Sequence, residues 1–231
     1  MHGFCQHVGV VTSFEELLAT PFTGEVNALC WRRQLVGNFQ EIVDQLHADF
    51  GIATIDDDSL NALTLSPAGA IARDVLLADQ ALLRERGLAP SLDCISGYRR
   101  DAAAGPITTD VYSFHVDSAP VEADTYLCTY VGGTSEGLPN EDAIRHIDVT
   151  ETRAQLLADY GGMDDADFAA YLHDRCFDLH YSPRPGAVPY AFGLGNLWRI
   201  AIAYPGTPVA PCIHRAPLTQ PGAPTRLLLI S

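Results

Sequence analysis

The chain has 231 residues, 47% of them hydrophobic and 19% charged, which suits one domain with a sizeable core. Its formal net charge of −15 argues against nucleic acid or an anionic membrane as the main partner, because phosphate recognition needs basic surface. All 14 basic residues are arginine, which excludes Schiff-base or PLP chemistry built on a lysine amine.

No stretch approaches the roughly 18 apolar residues of a membrane span. The start, Met1 to His7, lacks the basic region and apolar core of a signal peptide, so a cytoplasmic location is expected. Cys5, Cys30, Cys94, Cys128, Cys176 and Cys212 include no C-x-x-C pair. They read as small, reduced core residues.

The first ninety residues read as a helical support. Asn38 with Glu41 opens a helix whose apolar positions are Phe39, Ile42, Val43, Leu46 and Phe50, before Gly51 stops it. Ile55-Asp-Asp-Asp58 reads as a solvated turn. Ser66 then caps a second helix, with Pro67 at its first position, Ile71, Val75, Leu76, Leu82 and Leu83 inward, and Gly87 at its end.

From about residue 91 the texture changes to short apolar runs broken by Gly and Pro: Leu92–Ser96, Val111–His115, Thr125–Val131, Val188–Leu194, Leu197–Ala203, Val209–His214 and Leu227–Ile230. This spacing predicts a sandwich or barrel. A helical insert runs from Thr150, its expected cap, to about Cys176, with Gly161-Gly162 as its break and Phe168, Tyr171 and Leu172 on one face. Residues 1–231 therefore form a single mainly β domain with flanking helices. Trp31 and Trp198 read as core; His2, His7 and His47 read as surface.

His115-Val-Asp117 ends one apolar run and His214 ends another; Arg226 follows twelve residues later and opens Leu-Leu-Leu-Ile. In a strand, residues i and i+2 share a face, so His115 and Asp117 can point together. Two imidazoles and a carboxylate form the facial triad of non-haem Fe(II) oxygenases, which leaves positions open for a cosubstrate and O2. A fixed guanidinium nearby suits the far carboxylate of a dicarboxylate cosubstrate.

On this pattern, the chain from about Leu92 onward resembles the Fe(II)/2-oxoglutarate-dependent oxygenases, whose core is a double-stranded β-helix (jelly roll). The resemblance implies His115, Asp117 and His214 as iron ligands and Arg226 as the anchor of 2-oxoglutarate. Tyr126–Thr134 is similar to the strand and Gly-rich turn that follow the first ligands in prolyl-hydroxylase-like members. Asn27–Arg33, Phe114–Asp117 and His214–Pro217 also resemble an uncharacterised bacterial family with this fold. Two positions after Arg226 stands Leu228, where many members have Ser or Thr, so Tyr112 and Thr129 are candidates for the second cosubstrate contact. Halogenating relatives have a small residue at the position of Asp117; its carboxylate implies hydroxylation, desaturation or oxidative ring closure.

The expected partners are thus Fe(II), 2-oxoglutarate, O2 and a small molecule, acidic or amino-acid-like, in specialised bacterial biosynthesis. Arg99, Arg100, Thr134, Arg145 and Arg215 are candidate substrate contacts. His146 reads as a surface or supporting residue, His173 and His180 as residues of a lid formed by the insert. A cupin-like metal enzyme without the keto acid also explains the ligands but leaves Arg226 idle, and a non-catalytic jelly-roll binding module needs only a His115–Asp117 hydrogen bond. No phosphate loop, G-x-S-x-G elbow or structural zinc spacing offers a rival site.

Overall fold

The computed structural model describes residues 6–46, 51–100, 105–175, 180–218 and 224–231. The fold is mixed α/β, built on a large sheet, rather than mainly β. Part of the difference lies in the first ninety residues, which supply three strands of that sheet besides their helices. These are β1 (Val8–Val11), β2 (Ala28–Trp31) and β3 (Ile52–Ile55). Each is four residues long, too short for its own period to separate strand from helix. Pairing decides instead: β1 runs parallel to β2, and β3 lies antiparallel to β4 (Ser91–Ile95).

The expected helices form. After α1 (Phe14–Ala19), α2 (Phe39–Leu46) buries Phe39, Ile42 and Val43; Phe50 lies outside the described residues. The acidic run is not a loop but the start of α3 (Asp57–Ala62). The Asp56 side chain accepts from the Ser59 N–H, and Asp57 and Asp58 complement the positive helix end. Ser66 caps α4 (Pro67–Arg84) as read from the sequence.

Beyond β4 come β5 (Asp124–Val131), β6 (Glu136–Leu138), β7 (Ala143–Arg145), helices α5 (Thr150–Tyr160) and α6 (Ala166–Arg175), then β8 (Tyr181–Pro183), β9 (Tyr190–Ala191), β10 (Leu197–Ala201), β11 (Ile213–Arg215) and β12 (Arg226–Ile230). The large sheet has the order β1-β2-β10-β5-β12-β4-β3; smaller sheets are β11-β6-β9 and β7-β8. Alternation gives the large sheet two largely apolar faces. Cys94, Cys128, Tyr130, Leu227 and Leu229 pack with Ile42, Leu76 and Leu83 of the helices. Ile95, Leu127, Trp198 and Leu228 face the other way. Trp198 is therefore core, whereas Trp31 is half-buried. A buried polar seam ties helix to sheet: Arg33 donates to Asp79 at 2.6 Å, and the Tyr130 hydroxyl donates to the same carboxylate at 2.6 Å.

Three expected strands shrink for local reasons. In Val111–His115 only Phe114 and His115 form bridges, because Asp110 accepts from the Tyr112 and Ser113 N–H groups and holds a turn there. Gly193, at φ +74°, ends the extended run that includes β9. Pro211 has no N–H to donate, and regular pairing starts only at Ile213.

The insert forms as two helices, with Gly161 in the left-handed conformation at the break. The cap position is Val149, whose side chain makes no capping bond, so Thr150 begins the helix rather than capping it. Leu156, Phe168 and Leu172 pack on Ile107 and Ile147. No described helix is long and apolar enough to cross a membrane. Cys30, Cys94, Cys128 and Cys212 are buried free thiols, as expected; Cys5 and Cys176 lie outside the described residues.

Candidate metal centre

His115 and His214 are direct antiparallel partners, each backbone N–H donating to the other's carbonyl at 2.9 Å. Residues opposed in such a pair project to the same face. Asp117 is two residues further on, its carbonyl fixed by the Ala203 N–H at 2.8 Å and its carboxylate by the Thr125 hydroxyl at 2.6 Å. One ligand atom from each of the three residues can be chosen so that all lie within 4.8 Å of one another. Asp117 oxygens stand 4.0 Å from His115 Nε2 and 3.8 Å from His214 Nε2.

The imidazoles are oriented from behind. His115 Nδ1 lies 2.7 Å from the Ser113 carbonyl and His214 Nδ1 3.3 Å from that of Cys212. A carbonyl only accepts, so Nδ1 carries a proton in each ring and Nε2 is the atom left facing Asp117. Burial, helped by the neighbouring His214, pushes the His115 pKa down to about 4. Burial opposes ionisation of Asp117, but His214, the Thr125 hydrogen bond and His115 outweigh it and hold the carboxyl below its usual range. Near neutral pH the pocket thus presents an ionised carboxylate and a His115 lone pair without first losing a proton. Two nitrogens and one oxygen fit a divalent first-row metal and leave its other positions open.

A pH effect follows for the metal-free protein. Between about pH 6.5, where an unfolded histidine titrates, and about pH 4, the unfolded chain holds a proton on His115 that the folded chain lacks. Stability is expected to fall as pH drops through this window. His115→Gln should flatten the decline, which denaturant midpoints in the presence of a chelator would measure.

The site opens into a cavity of about 230 Å³ between the large sheet and the β11-β6-β9 sheet, lined by His115, Asp117, Ser135, His214 and Ala216 on one side and by Asp93, Ile95, Leu127, Arg226 and Leu228 on the other. Arg226 is 2% exposed at the head of β12. Its nitrogens donate to the hydroxyls of Tyr98 at 2.9 Å, Thr129 at 3.0 Å and Ser135 at 2.8 Å. Its Nε is buried without a partner, and among the described residues no carboxylate lies within ion-pair distance. Burial pushes its pKa down, against the opposing effect of Tyr98. A buried, uncompensated guanidinium is costly, and an anionic ligand would relieve it.

The other predicted contacts divide. Thr129 meets Arg226 directly, whereas the Tyr112 hydroxyl accepts from the Tyr98 N–H and its ring stands edge-on to Tyr98, so it supports an Arg226 partner. Arg99 is exposed; Arg100 lies over the Tyr112 ring near Asp110; Arg215 is bonded to Glu136. Thr134 is half-buried and its neighbour Ser135 lines the cavity instead. Arg145 points into a separate recess with Arg153 and His173. None of these four arginines lines the metal cavity, and neither does any residue of α5 or α6. Among the described residues the insert packs on Ile107 and Ile147 and lines no part of this cavity.

His180 is buried with its ring 5.7 Å from that of His115, and His146 is half-buried beside Ser182. His7 is not a surface residue but buried, bonded to the Glu25 carbonyl and to Glu141; His2 and His47 lie outside the described residues. Sequence reasoning missed Tyr98, Ser135, Thr125 and Asp93. Only Ser135 carried a signal, following the Gly-rich turn already singled out. Comparison of the chain with protein-family models, curated proteins and solved structures gave no match.

Proposed function

We propose that the protein is a non-haem Fe(II)/2-oxoglutarate-dependent oxygenase that oxidises a C–H bond of a small molecule in the cytoplasm. The observation that carries this reading is one cavity holding both parts of the machinery: the inward-facing His115–Asp117–His214 group and the buried Arg226, which has no carboxylate partner among the described residues. A cavity between a large sheet and a smaller one, with ligands from the smaller side, also suits a double-stranded β-helix core.

His115, Asp117 and His214 would hold the iron on one side, and Arg226 would hold the distal carboxylate of 2-oxoglutarate. Iron with this cosubstrate supplies oxidising power from O2, with release of succinate and CO2, for hydroxylation, desaturation or ring closure. The protein's part is placement. Ser113 and Cys212 carbonyls fix the imidazole tautomers, Thr125 fixes the carboxylate, and Tyr98, Thr129 and Ser135 fix the guanidinium. Leu127, Leu228 and Ile95 keep the walls apolar, which strengthens the Arg226–carboxylate attraction.

The test is binding followed by turnover. Under anaerobic conditions the protein should take up one Fe(II) and then one 2-oxoglutarate, and in air it should form succinate slowly without other substrate. Metal uptake with no affinity for 2-oxoglutarate would point to the cupin-like reading, and absence of metal uptake to a binding module.

A further inference from the structure

The charge of the cavity differs from that of an acid-binding site. Among the described residues, its charged lining consists of Asp93, Asp117 and Arg226, besides the two imidazoles. On the functional reading above, Asp117 serves the metal and Arg226 the cosubstrate. What remains to meet a further molecule is one carboxylate, Asp93.

Asp93 is built to point where it does. It lies on β4 between Thr54 of β3 and Leu228 of β12, with which it is directly paired. Alternation puts Asp93, Ile95, Arg226 and Leu228 on the cavity face. The hydroxyls of Thr54 and Ser91 both donate to the same oxygen, Oδ1, at 2.7 Å each. Among the described residues, Oδ2 accepts no hydrogen bond and no cation lies within ion-pair distance of Asp93. Arg226 pairs with Ile95, two residues along the ladder from Asp93. Such diagonal neighbours stand about 7–8 Å apart, and Arg226 donates to three hydroxyls instead.

The rest of the lining tells what accompanies the charge. Ile52, Ile95, Val111, Leu228 and Ile230 share the cavity with Asp93. Ile52 and Val111 are 57% and 38% exposed, an apolar mouth of the kind that ligands cover. A hydrocarbon chain fits those walls, and a positive group on it fits Asp93.

We propose that Asp93 is the subsite for an ammonium or guanidinium group of the molecule to be oxidised, so that the substrate is an aliphatic amine or a basic amino acid rather than an acid. This assignment rests on reading Arg226 as the cosubstrate anchor. It also explains why the arginines expected to recognise an acid stand elsewhere. Arg100 is held by Tyr112 and Asp110, Arg215 by Glu136, and Arg145 lies in its own recess.

The experiment measures binding, not turnover. Protein loaded with Zn(II) and 2-oxoglutarate is titrated by calorimetry with L-lysine, L-arginine and n-hexylamine as cationic probes, and with hexanoate and glutarate as anionic ones. At least one cationic probe should bind in the micromolar to millimolar range and the anions should not. Asp93→Asn retains an oxygen acceptor for Thr54 and Ser91 but removes the charge. It should weaken the cationic probe by on the order of tenfold or more, and Asp93→Glu should recover part of the loss. Anionic probes binding as well as cationic ones, an unchanged cation affinity in Asp93→Asn, or no cationic probe binding at millimolar concentration would overturn the proposal. Zn(II) and 2-oxoglutarate affinities are measured on the same samples, and the cation titration is repeated on metal-free protein. Failure of the first pair counts against the oxygenase reading; failure of the cation titration with both ligands bound counts against Asp93.

Discussion

Alanine at His115 or at His214 is expected to abolish stoichiometric Fe(II) binding while leaving the fold in place. The two residues are joined through their backbones, by reciprocal N–H to carbonyl bonds of 2.9 Å, and side-chain truncation leaves those bonds intact. What disappears is one of three inward-facing donors. Loss of a mere supporting contact around a bound metal costs about 10–100-fold in affinity, so loss of a ligand should reach or exceed the upper end of that range. Asp117→Asn provides the complementary control: the Thr125 hydroxyl can still donate to the amide oxygen, but the negative charge is gone. Anaerobic titration with Fe(II), with Co(II) absorption as a second probe, reads the affinity, and circular dichroism reads the fold. Full metal retention in both histidine variants would falsify the assignment.

The grouping of His115, Asp117 and His214 was legible in the sequence because its logic is local. His115 and Asp117 are two residues apart, and that interval puts them on one face even though only isolated bridges, not a regular strand, surround them. His214 and Arg226 were legible as polar residues at the ends of apolar runs. The supporting residues were not, because long-range pairing brings them in. Tyr98 reaches Arg226 across 128 positions and Thr129 across 97, and nothing near Tyr98 announces that partner. Asp93 was hidden in a strand read only for its apolar residues, and its role depends on which face of β4 meets the cavity. That the candidate arginines stand outside the cavity was hidden for the opposite reason. Charge counting treats every arginine as available, whereas Arg100 and Arg215 already have acidic neighbours in space. The small strands β1 to β3 show the same limit: four residues are too few for the side-chain period to state which element a segment forms.

Replacing Arg226 with methionine is expected to weaken 2-oxoglutarate binding by tens- to hundreds-fold, with Fe(II) affinity little changed. Removing one partner of a charge-assisted, desolvated pair costs on the order of 2–4 kcal/mol, and the pair forms only when the cosubstrate is bound. That condition separates Arg226 from an arginine kept for structure. Arg33 is also buried, but its guanidinium meets Asp79 at 2.6 Å, so Arg33→Met strands a buried carboxylate and should destabilise the protein by about 3–5 kcal/mol. Arg226 has no such partner among the described residues, and its Nε is unsatisfied. Arg226→Met would release three hydroxyls, of which those of Tyr98 and Ser135 line the cavity and can turn to water there. The unliganded variant should therefore be as stable as the wild type or more so, while the stabilisation that 2-oxoglutarate gives the wild type should be missing. Denaturant midpoints with and without 2-oxoglutarate, at fixed metal, read both effects. If Arg226→Met loses stability as Arg33→Met does and still binds 2-oxoglutarate at wild-type affinity, the guanidinium is a structural element and the cosubstrate site must be sought elsewhere.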